Sequence, residues 1–330
     1  MKEIGGEFWN VPVTKSRNTL FPSNTKWFLS GRSALKAIIK ELRGIETVAM
    51  PSWCCDSIIK PFIDAGISVN FYPIHYKNGF VQDITYDCDA LFVMDFFGYT
   101  SNELDLSNYN GVVIRDVTHS LFSASYFDAD YYFGSLRKWS GFWTGGFAWG
   151  KSIKDTIHAD PVYEKLRCSA MEEKASYIAS PNTHNKGFLS LYEEAENILD
   201  NCSIVSAAHR DIELASFLDV DFIRNRRRTN AMVLMKAFQE NLIFHDLDQK
   251  ECPMFVPIIV SADKRDELRK YLIKKSIYCP VHWPLSSYHK LNEKDKRIYS
   301  TELSLVCDQR YTTEDMNRIV ETINDFLWEE

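Results

Sequence analysis

Apolar residues recur along the chain in two rhythms, stripes at helical spacing and short unbroken runs. After an aromatic opening segment, Ala34, Leu35, Ile38, Ile39 and Leu42 share one face of a helix that Ser30 can cap and Gly44 ends. Residues 47–50 form an apolar run stopped by Pro51, 57–65 read as a helix closed by Gly66, and 68–72 read as the next strand. Further runs follow at 90–94, at Val112-Val113-Ile114 leading to Asp116, at 131–135 and at 147–149. Apolar runs separated by helices or loops predict strands buried on both faces, hence a largely parallel sheet covered by helices.

From about 152 to 245 the pattern turns charged and helical, most clearly over 189–196. A fresh unit then begins, with a strand at 254–260, a helix at 263–275, a strand at 277–281 and a final helix at 313–327. The expectation is an α/β fold with a large domain over 1–250, its mostly parallel sheet of the seven-stranded type sandwiched by helices. A small α+β domain over 251–330 completes it.

Composition narrows the class without changing this architecture. Of 330 residues, 45% are hydrophobic and 25% charged, as in a globular protein with a substantial core. Thirty-eight Lys and Arg against 45 Asp and Glu give a net charge of −7, which does not suit a nucleic-acid partner. The start, Met1-Lys2-Glu3 with two glycines after Ile4, lacks the apolar stretch of a signal peptide, and no segment approaches the roughly 18 apolar residues of a membrane helix. A cytoplasmic protein is expected. The eight cysteines, at 54, 55, 88, 168, 202, 252, 279 and 307, show neither C-x-x-C nor Cys/His spacing, so they read as reduced, mostly buried thiols, with no metal site.

Three local features carry chemistry. Asp116 ends a buried strand, on the edge where open α/β sheets place ligands, although a strand-end carboxylate is more often a loop cap. Lys138 lies in Gly134-Ser135-Leu136-Arg137-Lys138-Trp139, ahead of a small and aromatic stretch that ends in Gly145-Gly146. Amid aromatic side chains and close backbone its charge is disfavoured, which frees the amine for an aldehyde; the plainer alternative is a lysine snorkelling past Trp139. Ser30-Gly31-Arg32-Ser33 opens a helix whose first N–H groups and dipole favour an anion, or Ser30 is only an N-cap. Taken in order, a phosphate-type helix start, a strand-end acid and a lysine are what pyridoxal 5'-phosphate chemistry requires.

Over nearly its whole length the chain resembles the DegT-type (DegT/DnrJ/StrS) sugar aminotransferases, of fold type I among pyridoxal-phosphate enzymes. The resemblance rests on residues 30–35, Met50-Pro51-Ser52, Asp95-Phe96-Phe97-Gly98, Asp116 with His119, and Ser135 to Lys138 with Gly145-Gly146. It continues through 188–196, Arg226 to Asn230, Val281-His282-Trp283-Pro284, and Leu303-Ser304-Leu305 leading into Asp308-Gln309-Arg310-Tyr311. It implies Lys138 as the Schiff-base lysine and proton shuttle, and Asp116 as partner of the pyridine nitrogen. His119 would lie near the ring hydroxyl, with Gly31, Arg32, Ser33 and Ser135 around the phosphate. Where the family usually has a stacking aromatic this chain has Cys55, with Trp53 two residues earlier, so Trp53 or His119 is expected to support the ring. Asp95 stands at the family's usual histidine.

The resemblance further implies a homodimer and an amino donor, usually glutamate. The acceptor would be a nucleotide-linked keto sugar, in the making of surface polysaccharide or a decorated metabolite. A sugar dehydratase of the same fold would usually have histidine in place of Lys138, and a pure binding or regulatory protein would need neither Lys138 nor Asp116. His282-Trp283 is either a substrate contact or packing, and Arg226 to Arg228 either reach a phosphate or form a solvated helix face. Cys54 and Cys55 lack the His/Asn partnership of a thiol nucleophile.

Overall fold

The computed structural model describes residues 2–77, 80–84, 87–99, 104, 106, 108–123, 128–154, 156, 159–181, 185–201 and 203–328. Its strands are β1 (Ile4–Gly5), β2 (Lys26–Phe28), β3 (Thr47–Pro51), β4 (Ser68–Tyr72), β5 (Ile74–His75), β6 (Val81–Gln82) and β7 (Ala90–Met94). They continue with β8 (Val112–Asp116), β9 (Tyr131–Ser135), β10 (Gly146–Gly150), β11 (Phe255–Ile259), β12 (Ile277–Tyr278) and β13 (Glu302–Val306). The helices are α1 (Gly31–Glu41), α2 (Asp56–Asp64), α3 (Pro161–Ala179), α4 (Phe188–Asn201), α5 (His209–Ser216), α6 (Val220–Ala237), α7 (Ala262–Lys274), α8 (Glu293–Thr301) and α9 (Thr313–Trp328). Seven strands form one mostly parallel sheet in the order β2-β10-β9-β8-β7-β3-β4.

The chain divides into two compact units, Met1–Gly6 with Ile45–Asp128 and Asp221–Glu330, and Glu7–Gly44 with Ala129–Val220. The segment 251–330, expected as a small domain, lies within the first of these units. Among the described residues no helix is long and apolar enough to cross a membrane.

In the first unit β8, β7, β3 and β4 run parallel, with Met94 opposite Asp116 and Met50 opposite Phe71. All five residues of β7 are buried, which is why its sequence, Ala-Leu-Phe-Val-Met, shows no alternation. Asp95 N donates to the Asp116 carbonyl just past the end of β7, so the ladder carries the two acids to neighbouring strand ends. Farther along the chain β11 pairs antiparallel with β13, and β12 pairs with β1.

In the second unit β10 pairs antiparallel with both β9 and β2, which makes this the antiparallel part of the mostly parallel sheet. A Cβ on Gly146 would come within 2.1 Å of the Ser30 carbonyl. Glycine there lets β10 lie directly against the entry to α1. Tyr163 of α3 and Ala195 and Leu199 of α4 share a buried cluster with Leu29 and Val205, and that cluster backs the α1 entry.

Candidate functional site

In the second unit the lysine loop and the start of α1 are built together. Ser30 caps α1, its hydroxyl oxygen accepting from Ser33 N at 3.2 Å. Gly31 packs on the loop, where a Cβ would make ordinary contact with the Gly134 carbonyl at 3.4 Å and Ser135 Cβ at 3.5 Å. Ser135 is buried, and its hydroxyl does not cap the 3-10 turn Leu136–Lys138 that follows. Ser140 Oγ and Gly141 N both donate to the Asn10 carbonyl, while Thr144 donates through its backbone and hydroxyl to Asp211, each at 2.7 Å. The turn bearing Lys138 is thus held from both sides.

Burial of the lysine itself departs from expectation. Leu136 and Trp139 are fully buried, whereas Lys138 between them is exposed, so the aromatic company read from the sequence does not enclose its amine within the chain. The phosphate residues also divide. Arg32 donates to the Leu199 carbonyl at 2.9 Å and to Asp200 at 2.7 Å, and Ser33 Oγ donates to the Ser203 carbonyl at 3.0 Å. Both side chains tie α1 to the end of α4 and beyond, leaving Gly31 and Ser135 as the pair that meets at the helix entry.

A cluster with no local sequence signal lies beside the same turn. Glu7 receives two hydrogen bonds from the buried Arg167, at 3.3 and 3.4 Å. Its side chain is exposed, and the cations of Arg167, Arg137, Lys138 and Lys174 hold its carboxyl below the usual range.

The first unit carries Asp116 and His119. Asp116 is buried, and its carboxylate accepts from Thr118 N at 2.8 Å in a tight turn. His119 Nδ1 accepts from Phe97 N at 3.3 Å, so the neutral ring keeps its proton on Nε2. Its ring lies nearly parallel to Trp283, centroids 5.8 Å apart, and 4.9 Å from Phe97. Phe97 has a φ of 54°, and a Cβ on Gly98 would overlap the Cys252 carbonyl at 2.0 Å, so this aromatic–glycine turn is sterically committed.

Trp53 is fully buried, stacks on Phe96 at 5.1 Å and donates through Nε1 to the His282 carbonyl. Cys55 is half-buried at the N-cap of α2 with its thiol 2.9 Å from Ser57 Oγ. The aromatic lying along His119 is Trp283, whose place far along the chain hid it from a reading centred on Pro51. Cys54, Cys252, Cys279 and Cys307 are buried, and Cys55, Cys88 and Cys168 partly so; Cys202 lies outside the described residues.

The arginine stretch is structural. Arg227 is buried and donates to Gln309 and the Met254 carbonyl, both at 2.8 Å, while Arg228 reaches the Glu251 carbonyl at 2.6 Å. Asn230 donates to the carbonyls of Cys307, Asp308 and Tyr311. Neither a phosphate clamp nor a solvated face describes Arg227 and Arg228. The arginine–asparagine pattern instead pins two loops to α6.

No protein-family model matches the chain, and no curated protein sequence matches it. Solved structures do. PseC of Helicobacter pylori, an aminotransferase of pseudoaminic acid biosynthesis, superposes with a TM-score of 0.63 at 14% identity, over 97% of this chain and 99% of its own. A DegT DnrJ EryC1 StrS aminotransferase from Brucella abortus gives 0.62 at 14% identity, over 92% and 85%. NtdA of Bacillus subtilis, solved with bound cofactor PMP, gives 0.60 at 14% identity, over 91% and 72%. The chain has the fold that these aminotransferases share, and at this identity the likeness speaks for the fold.

Proposed function

We propose that this chain is a pyridoxal 5'-phosphate-dependent aminotransferase, taking the amino group of glutamate to a nucleotide-linked keto sugar in surface-polysaccharide or related biosynthesis. The observation that carries the reading is the contact of the α1 entry with Ser135, three residues before Lys138. One short turn offers helix N–H groups, a buried serine and an exposed primary amine, which are the donors and the nucleophile that a phosphorylated aldehyde needs.

Each unit carries residues whose chemistry suits part of the cofactor. Gly31, Ser135 and the first N–H groups of α1 would hold the phosphate, and Lys138 would take the aldehyde. Asp116, kept in place by Thr118, would hold the proton of the pyridine nitrogen, and His119 would support the ring, with Trp283 behind it. When bound, the cofactor supplies an electron sink for the bond broken at the donor's α-carbon. Lys138 would then carry the proton between that carbon and the cofactor, and its exposure leaves the amine free to reach both. We place the protein in the cytoplasm as a homodimer, with small-molecule donor and acceptor.

The test is an absorption spectrum of the purified protein with added pyridoxal 5'-phosphate, before and after glutamate, on the native chain and on Lys138→Ala. A lysine-bound cofactor band that glutamate bleaches, and that the variant never forms, supports the reading. A cofactor that stays free in solution leaves a binding protein of the same fold.

A further inference from the structure

Three groups of the first unit form a closed hydrogen-bonded chain that the cofactor chemistry above does not use. Glu302 is fully buried at the start of β13. One of its oxygens accepts from His282 N at 2.7 Å, and the other lies 2.5 Å from Ser304 Oγ. Ser304 Oγ is in turn 2.8 Å from His282 Nδ1. The serine hydroxyl therefore stands between a carboxyl and an imidazole, and it has one proton to give.

For a neutral imidazole that count leaves two arrangements. With an ionised Glu302, Ser304 donates to the carboxylate, so Nδ1 must donate to Ser304 and Nε2 holds a lone pair. With a protonated Glu302, the carboxyl donates to Ser304, Ser304 donates to Nδ1, and the ring proton sits on Nε2.

We propose that Glu302 and Ser304 are positioning residues that set the tautomer of His282, so that its Nε2 donates while Glu302 keeps its proton and accepts once that proton has moved. The step balances: as the Nε2 proton leaves to an acceptor, the Ser304 proton passes to Nδ1 and the Glu302 proton to Ser304. The ring lies among Phe97, Phe255, His119 and Trp283, with centroids 5.0–6.0 Å apart, so the relay ends in the aromatic cluster that holds His119.

The charged surroundings are compatible with a protonated resting carboxyl. Burial raises Glu302 to about 8 against the His282 N–H, Ser304 and Arg265. Arg265 of α7 spends its guanidinium on Asp266 and on the Glu302 and Tyr299 carbonyls. Arg269 donates to the Cys279 carbonyl, and burial pushes the Cys279 thiol up to about 12, which leaves it neutral. Any use of the relay on a substrate rests on the aminotransferase reading; the tautomer coupling does not.

Long-range proton–nitrogen NMR of the full chain labelled with nitrogen-15 histidine, from pH 6 to 10, tests it without cofactor or turnover. The His282 signal is identified by its loss in His282→Asn. Native protein should pass from the Nε2–H to the Nδ1–H form with a midpoint near 8. Glu302→Gln, whose amide can donate only to Ser304, should stay in the Nε2–H form throughout, and Ser304→Ala should uncouple the ring from that midpoint. A single tautomer across the range in native protein, or an unchanged transition in Glu302→Gln, overturns the proposal. Aminotransferase failure would show in the absorption experiment and leave this result standing.

Discussion

Arg115 lays its guanidinium on the carboxylate of Asp95 through three hydrogen bonds of 2.8, 3.0 and 3.1 Å, with both side chains buried and Ser120 closing the carboxylate's other side. Asp95 stands where the resembling family usually has histidine. Here it is an internal anchor for the cation on β8, the strand that carries Asp116.

Removing one partner of that pair leaves a buried, uncompensated charge. Asp95→Ala should therefore lower unfolding free energy by about 3–5 kcal/mol in urea titration, and Asp95→Ala with Arg115→Leu should regain much of the loss. Additive losses in the double variant would show that the pair is not the unit that matters.

Lys138 is exposed and its turn is held by Leu136, Trp139 and Thr144, so Lys138→Ala should change stability by no more than about 0.5 kcal/mol. Transamination from glutamate should nevertheless disappear. Retained turnover alongside retained stability would remove the lysine from the reaction.

Asp116→Asn separates charge from shape. The amide oxygen can still accept from Thr118 N, so the turn should survive, while a neutral group no longer favours a proton on the pyridine nitrogen. Single-turnover reaction with glutamate should slow by roughly 10²-fold or more, the scale of losing one preorganised electrostatic contact. Asp116→Ala should add a stability loss of about 1–3 kcal/mol, because Thr118 N is left unpaired. Equal effects from both variants would reduce Asp116 to a turn residue.

Elements with strong local signals were legible. Val112-Val113-Ile114 before Asp116 and the β7 run needed no tertiary information, because strands buried on both faces are simply apolar. β13 has no strand signal in the sequence, since Glu302 and Ser304 break the apolar run and are buried only because they satisfy His282 and one another. α8, with its first turn rich in Glu and Asp, has an apolar face too weak to mark a helix in the sequence.

The candidate site residues divide in the same way. The turns around Lys138 and Asp116 are local and could be found by motif. The roles of Trp283, Glu7 and Glu302 depend on contacts far apart in the chain, and the commitment of Arg32 and Ser33 to the end of α4 was invisible to a helix-start motif.

Glu302 also makes stability depend on pH in a direction opposite to that of an ion-paired acid. An ordinary glutamate titrates near 4.5, whereas burial lifts Glu302 to about 8. Between these values the unfolded chain has released the proton and the native chain retains it. The site's contribution is therefore fully present below 4.5, declines as pH rises through 8, and is level above that. Glu302→Gln removes the titration while keeping the shape. The stability of the variant relative to native protein should climb between pH 5 and 8, by on the order of several kcal/mol, and then stop changing. Urea unfolding of both proteins at pH 5, 6.5, 8 and 9 would measure it, and a constant difference across that series would mean that Glu302 is already ionised in the folded chain.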